Sequence, residues 1–260
     1  MSPIQILRGS LAMAAAPPLT LLVCVAALID LRFFRKSIPK AQQFPRAWGR
    51  VICGIAGARV QVTGMDNIDP EQTYIFAGNH ASQFDIYAFQ GYFPHDFRWV
   101  AKKELFKIPL FGYTMRKVNY IPIDRSRGRA AARSLTNAAR RIAAGTSVLI
   151  FPEGTRSPDG RLRPFKTGAI MLAIKAGVPL VPLGFNGTHE VLPKGRLVAN
   201  RGRITIRIGT PIPTSGYTAK DKQHLATLLQ ERVAELLDPQ YRPAEEQDRE
   251  QEAAQGNGGA

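Results

Sequence analysis

From Leu11 to Ile29 no residue carries a charge. A run of that length has to leave water, either into a bilayer or against the rest of the chain, and it is long enough to cross a membrane as a helix. Pro17 and Pro18 would kink such a helix. Arg8 precedes the run, and Arg32, Arg35, Lys36 and Lys40 follow it. A cleaved export signal carries its positive charge ahead of the apolar run, whereas here the charge is heavier behind it. The expectation is a retained, membrane-associated helical segment with its positive side, and the rest of the chain, in the cytoplasm. The two prolines leave open whether it spans the bilayer or lies in one leaflet. Residues 44–60 then mix Trp48, Val51, Ile52 and Ile55 with Arg46, Arg50 and Arg59. That basic amphipathic pattern suits a membrane surface and suits equally a helix covering a core. Residues 1–59 are therefore read as an N-terminal unit.

From Val60 the pattern alternates. Short apolar runs at 60–62, 74–76, 97–101, 118–123, 147–151, 180–185 and 203–208 read as strands. Segments 85–92, 128–144, 167–176 and 218–237 read as helices, two of them closed by Gly145 and Gly177. The polar–apolar alternation of Arg203 to Ile208 suggests an edge strand. Residues 60–237 thus form one α/β domain, a mixed sheet flanked by helices. Residues 238–260, rich in Pro, Gly, Gln and acid, read as a disordered acidic tail. The net charge of +15 calls for a negative partner: anionic membrane lipid, a phosphorylated substrate or nucleic acid. No aromatic-basic RNA signature appears, which argues against nucleic acid. Cys24 and Cys53 stand apart from any histidine at metal-ligand spacing. They read as free thiols, with neither metal site nor cofactor expected.

The stretch Asn79-His80-Ala81-Ser82-Gln83-Phe84-Asp85 places a histidine where a strand hands over to a helix, a favoured place for chemistry in α/β proteins. No other histidine has a carboxylate five residues on; those positions hold Val100, Lys194 and Leu229. Within one helix a five-residue step leaves two side chains about 140° apart, so His80 and Asp85 meet only if His80 lies in the loop. A carboxylate on one ring nitrogen fixes the tautomer and raises the basicity of the other, which makes a general base. The competing reading is structural, because Ser82-x-x-Asp85 also fits a helix capping box.

Three further strand ends carry chemistry. Phe151-Pro152-Glu153-Gly154-Thr155-Arg156-Ser157 offers a glycine for close backbone approach, a guanidinium that can fork onto a phosphate and hydroxyl donors. Its bland reading is a turn with a local Glu153–Arg156 pair. Lys102-Lys103-Glu104-Leu105, Ile123-Asp124-Arg125 and Phe165-Lys166-Thr167-Gly168 supply further cations. Each alone is a solvated charge; in a parallel sheet all would converge on one edge. Two rival functions draw on the same residues. One is a metal-dependent phosphohydrolase using Asp85, Asp124 and Glu153, which crowding by Arg and Lys opposes. The other is a basic membrane-surface binding protein, which has no need of His80.

Together these blocks, with Val178-Pro179-Leu180-Val181-Pro182, resemble the glycerolipid acyltransferase family, over residues 75–182 plus the apolar N-terminus, and in particular its bacterial members that act on 1-acyl-sn-glycerol 3-phosphate. The resemblance implies a glycerol-3-phosphate acyltransferase-like fold and a place at the cell inner membrane. It implies acyl transfer from an acyl-ACP or acyl-CoA thioester to the 2-hydroxyl of lysophosphatidic acid, giving phosphatidic acid, with no cofactor. His80 would be the base and Asp85 its orienting partner. Arg125, Arg156 and Lys166, with Lys102, would meet the phosphate, while Glu153, Gly154 and Thr155 shape the acceptor site. The acceptor could also be glycerol 3-phosphate, another lysophospholipid or a lyso-ornithine lipid. The mostly apolar tract Leu105 to Gly112 would dip into lipid or line an acyl pocket.

Overall fold

A computed structural model describes residues 2–34, 42–126 and 128–243. The basic residues Arg35, Lys36 and Lys40, and the acidic tail beyond 243, lie outside the described residues. The chain stays packed as far as Tyr241, whose carbonyl accepts the Leu162 N–H.

The apolar N-terminus forms one helix, α1 (Pro3–Phe33). Ser2 and Gln5 exchange side-chain and backbone hydrogen bonds at its start, with Pro3 in the first turn, where a missing N–H costs nothing. The helix continues through Pro17 and Pro18. It is long and apolar enough to cross a membrane by length and composition. One face, Gly9, Ala12, Ala16, Cys24 and Ala27, is buried, whereas Leu7, Leu11, Leu21, Leu22 and Ile29 are exposed. The buried face is small because backbones approach closely there: a Cβ on Gly9 would run into the Ala199 carbonyl. Its partners are α2 (Gln43–Ala56), which ends on left-handed Gly57, and α4 (Phe111–Lys117).

Seven strands make one mixed sheet in the order β1-β7-β6-β2-β5-β3-β4. They are β1 (Ala58–Thr63), β2 (Ile75–Gly78), β3 (Arg98–Lys102), β4 (Ile121–Ile123), β5 (Val148–Ile150), β6 (Leu180–Asn186) and β7 (Gly202–Ile208). Every pairing is parallel except β6 with β7. The central strands β2, β5 and β6 are buried at every position, as expected for strands covered on both faces. One face packs an aromatic cluster containing Phe76, Phe89 and Trp99 against α2 and α3 (Phe84–Tyr92). The other packs aliphatic residues such as Ile75, Val148 and Ile170 under α5 (Arg129–Ala143), α6 (Thr167–Ala176) and α8 (Lys222–Glu235). A single turn, α7 (Thr188–Val191), follows β6.

Two sequence expectations need correction. β7 is not an edge strand: it lies between β6 and β1. Its alternation reflects burial of Ile204, Ile206 and Ile208 on one face only. The strand expected over 118–123 begins at Ile121, because Val118 closes α4, a helix the sequence reading missed, and Asn119 turns the chain with φ 63°.

Candidate active site

The pairing of β2 with β5 puts the histidine and the Glu153 loop side by side. Each Cα pair, such as Ala77 with Ile150, joins residues 73 apart, and His80 and Glu153 are also 73 apart. Just past the strand ends the register therefore still holds. The His80 N–H donates to Glu153 Oε1 at 2.8 Å, and the Ser157 N–H donates to the His80 carbonyl at 2.7 Å. The Glu153–Ser157 loop grips the His80 backbone from both sides.

Asp85 grips the side chain. α3 begins at Phe84 without a side-chain cap from Gln83. Asp85 reaches back across this first turn. Its Oδ2 accepts the N–H groups of Ala81 and Ser82, each at 2.9 Å, and lies 2.7 Å from His80 Nδ1. Only half of a capping box forms: the Ser82 N–H donates to the Asp85 carboxylate, but the Ser82 hydroxyl does not accept from the Asp85 N–H. That hydroxyl accepts the Phe84 N–H and donates to the Leu192 carbonyl. So the carboxylate orders the turn and fixes the ring at once. The imidazole also stacks flat on Phe151, centroids 3.9 Å apart and planes within 8°. With Nδ1 committed to the carboxylate, Nε2 is left as the free acceptor.

Glu153 is 3% exposed. Burial pushes its carboxyl up to about 8, with the charge of Asp85 acting in the same direction and the His80 N–H opposing it. At neutral pH it is mostly protonated. It forms no ion pair with Arg156 among the described residues; the His80 N–H donates to it, and the backbone and charge of Arg163 also act on it. Asp124 is engaged elsewhere: Lys103 lies 2.6 Å away and holds its carboxyl down at about 2. No metal-binding cluster of His, Cys, Asp or Glu occurs among the described residues.

Two cavities flank the pair. The first, of about 300 Å³, is walled by Val23, Cys24 and Ala27 of α1, by Trp48, by Trp99 and Val100, and by Leu105, Phe111 and Met115. His80, Lys102 and Arg125 also line it. The second, of about 400 Å³, is lined by Arg125, Gly154, Lys166 and the inner face of α5. Val100, Arg125 and Phe151 belong to both.

The cations divide between these spaces. Lys102 ends β3, is exposed, and stands 3.8 Å from Glu104. Arg125 follows β4, and its guanidinium donates to the Gly154 carbonyl at 2.7 Å. Gly154 has φ 78°, and a Cβ there would sit 2.9 Å from Lys166 Nζ, so a side chain would meet both strain and a cation. Lys166 precedes α6, its N–H donating to the Pro152 carbonyl. Thr155 is exposed. Arg156 is half-buried; its carbonyl accepts from Lys194 Nζ, and it lines neither cavity. The structure thus gathers Arg125, Gly154 and Lys166, with Lys102 across the first cavity, and leaves Arg156 apart.

Sequence reasoning did not single out Phe151 as the platform under His80 or Ser157 as its backbone clamp. It also passed over Asn79, whose side chain pairs with both backbone groups of Phe185 at 2.7 and 3.0 Å and so pins the loop to β6. A buried amide between a strand and a loop was the one available signal.

Comparison with known proteins gives consistent matches. A protein-family model described as "Acyltransferase" matches residues 59–186. A protein of Haemophilus influenzae named 1-acyl-sn-glycerol-3-phosphate acyltransferase is 32% identical, over 83% of this chain and 91% of its own. A coconut protein of the same name is 34% identical over 75% of this chain, and the match spans 63% of its length. A crystal structure of the 1-acyl-sn-glycerophosphate (LPA) acyltransferase PlsC from Thermotoga maritima superposes with a TM-score of 0.65 at 28% identity, covering 86% of this chain and 96% of that one.

Proposed function

This chain belongs to the acyltransferase family, and from that premise we propose that it transfers a fatty acyl group from an acyl thioester to the sn-2 hydroxyl of 1-acyl-sn-glycerol 3-phosphate, yielding phosphatidic acid. The observation that carries the reading is His80 Nδ1 held 2.7 Å from a fully buried Asp85, at an apolar cavity that also holds Lys102 and Arg125. That cavity suits a hydrocarbon chain, and its two cations suit a phosphate.

In the proposed mechanism His80 Nε2 takes the proton of the sn-2 hydroxyl as its oxygen attacks the thioester carbonyl carbon. The tetrahedral intermediate collapses by breaking the C–S bond, and the departing thiolate takes the proton back from the imidazolium. Asp85 holds the tautomer and stabilises the imidazolium. Arg125 and Lys166, gathered around Gly154, take the acceptor's phosphate, with Lys102 at the first cavity. Glu153 and Gly154 shape the site, and Thr155 and Arg156 extend it toward the surface. The donor is acyl-ACP or acyl-CoA. The unit 1–59 attaches the enzyme to anionic lipid of the inner membrane, through the exposed apolar face of α1 and neighbouring basic groups, each worth about 1 kcal/mol near the surface. The domain 60–237 faces the cytoplasm.

The test is a radiolabelled acyl-transfer assay of the full chain against lysophosphatidic acid, glycerol 3-phosphate and other lyso-acceptors, with both thioester donors. Lysophosphatidic acid should be the preferred acceptor. His80→Ala should abolish transfer and leave vesicle binding intact; transfer surviving that change would overturn the mechanism.

A further inference from the structure

Helix α5 carries charge that the proposed chemistry does not use. Arg129, Arg133 and Arg140 are all exposed. Steps of four and seven residues bring all three within about 40° on one face, along about 16 Å of helix. None takes part in an ion pair among the described residues, and the single side-chain contact among the three is from Arg140 to the Asn137 amide. Neither α5 nor α6, which pack together, contains an acidic residue. The nearest carboxylate along the chain, Asp124, is held by Lys103.

The opposite face of the same helix has a different use. Ala131, Ala132 and Leu135 wall the second cavity, which shares Val100, Arg125 and Phe151 with the cavity of His80. α5 is therefore at once a wall of the cavity beside that of His80 and, on its outer side, a row of guanidiniums without a carboxylate partner among the described residues. The cations proposed for the acceptor line those cavities and are separate from this row.

We propose that the arginine face of α5 docks an acidic carrier protein that bears the acyl thioester. This rests on the acyltransferase reading above and names its donor partner. A row about 16 Å long matches a run of carboxylates on a folded partner better than the compact phosphates of a nucleotide. Charges on such a face act through steering and encounter, so they change association rate and salt dependence more than the chemistry itself.

The experiment compares the full chain with R129E/R133E/R140E and R129Q/R133Q/R140Q, each first checked for an unchanged melting transition. Binding of acyl carrier protein is measured against salt, and transfer is measured with acyl-ACP and with acyl-CoA. The expectation is carrier binding that weakens with salt, a rise in acyl-ACP KM of at least about 10-fold on charge reversal, a smaller rise on neutralisation, and acyl-CoA and acceptor kinetics unchanged. No carrier binding by the unaltered protein, or equal effects on both donors, or none on either, overturns the proposal. Carrier binding that needs the arginines, with no transfer from either donor by the unaltered protein, would instead sink the acyltransferase reading and leave the docking face standing.

Discussion

The two halves of the candidate site are built to different standards. Around His80 every group is held. Its N–H, its carbonyl, its Nδ1 and its ring face are each fixed by a separate residue, namely Glu153, Ser157, Asp85 and Phe151. Three of these are buried. The cations are held loosely. Lys102 and Lys166 are exposed, and Arg125 is tied by a hydrogen bond to Gly154. The difference matches the two proposed tasks. A base must stand within bonding distance of the proton it takes, and small displacements are expensive in rate. A phosphate of a flexible lipid can be met by long side chains that move.

If that contrast is right, the largest losses follow from disturbing the buried half. Asp85→Asn keeps the volume but replaces the acceptor at Nδ1 with a weaker one, and kcat should fall about 10²–10⁴-fold, the range of a positioned base. Asp85→Ala also strips the Ala81 and Ser82 N–H groups of their acceptor, so it should cost about 3 kcal/mol of stability in addition. Steady-state kinetics and thermal melts of the two variants separate the effects. An Asp85→Ala protein as stable as Asp85→Asn would show that the carboxylate does not hold the turn.

Glu153 is the place where the contrast can be sharpened by pH. Its carboxyl sits at about 8 against an ordinary 4.5. The folded chain therefore keeps a proton that the unfolded chain releases between those values. Stability from this group is complete below about 4.5 and declines as pH rises to about 8. Glu153→Gln retains an oxygen for the His80 N–H and removes the ionisation, so its melting temperature should change less than that of the parent between pH 5 and 8, bounds set by those values. Activity near neutrality should persist in Glu153→Gln and drop in Glu153→Ala. Parallel melting curves for parent and Glu153→Gln across that window would mean that Glu153 is ionised in the fold, and the account of its burial would fail.

These residues also show where the sequence was informative. The alternation of apolar runs and helical segments located all seven strands, and the His80–Asp85 spacing announced a pair, because both signals are local. The burial of Glu153 was not legible. Beside Arg156 it looks like a surface ion pair, and its role follows from a β2–β5 register that brings together residues 73 positions apart. Arg156 shows the same limit: its place at a strand end does not say which cavity it will line, and it lines neither of the two beside His80. β7 was placed at an edge from its alternation, yet a strand buried on one face alternates wherever it sits.

The rim should give the smaller effects, graded by how each cation is held. Arg125 lines both cavities and is aimed by its bond to Gly154. Losing one charge-assisted contact of about 1.5–3 kcal/mol should raise the acceptor KM about 10–100-fold, with little change in kcat. Lys102 is 55% exposed beside Glu104 at 3.8 Å. Exposed charges of this kind contribute up to about 1 kcal/mol, so Lys102→Ala should raise KM less than about 5-fold, and the difference should vanish in high salt. Acceptor KM values measured at two ionic strengths decide the order. Equal, salt-independent losses at Arg125 and Lys102 would mean that both cations are desolvated around the phosphate, and that the rim closes on its ligand as tightly as the buried half closes on His80.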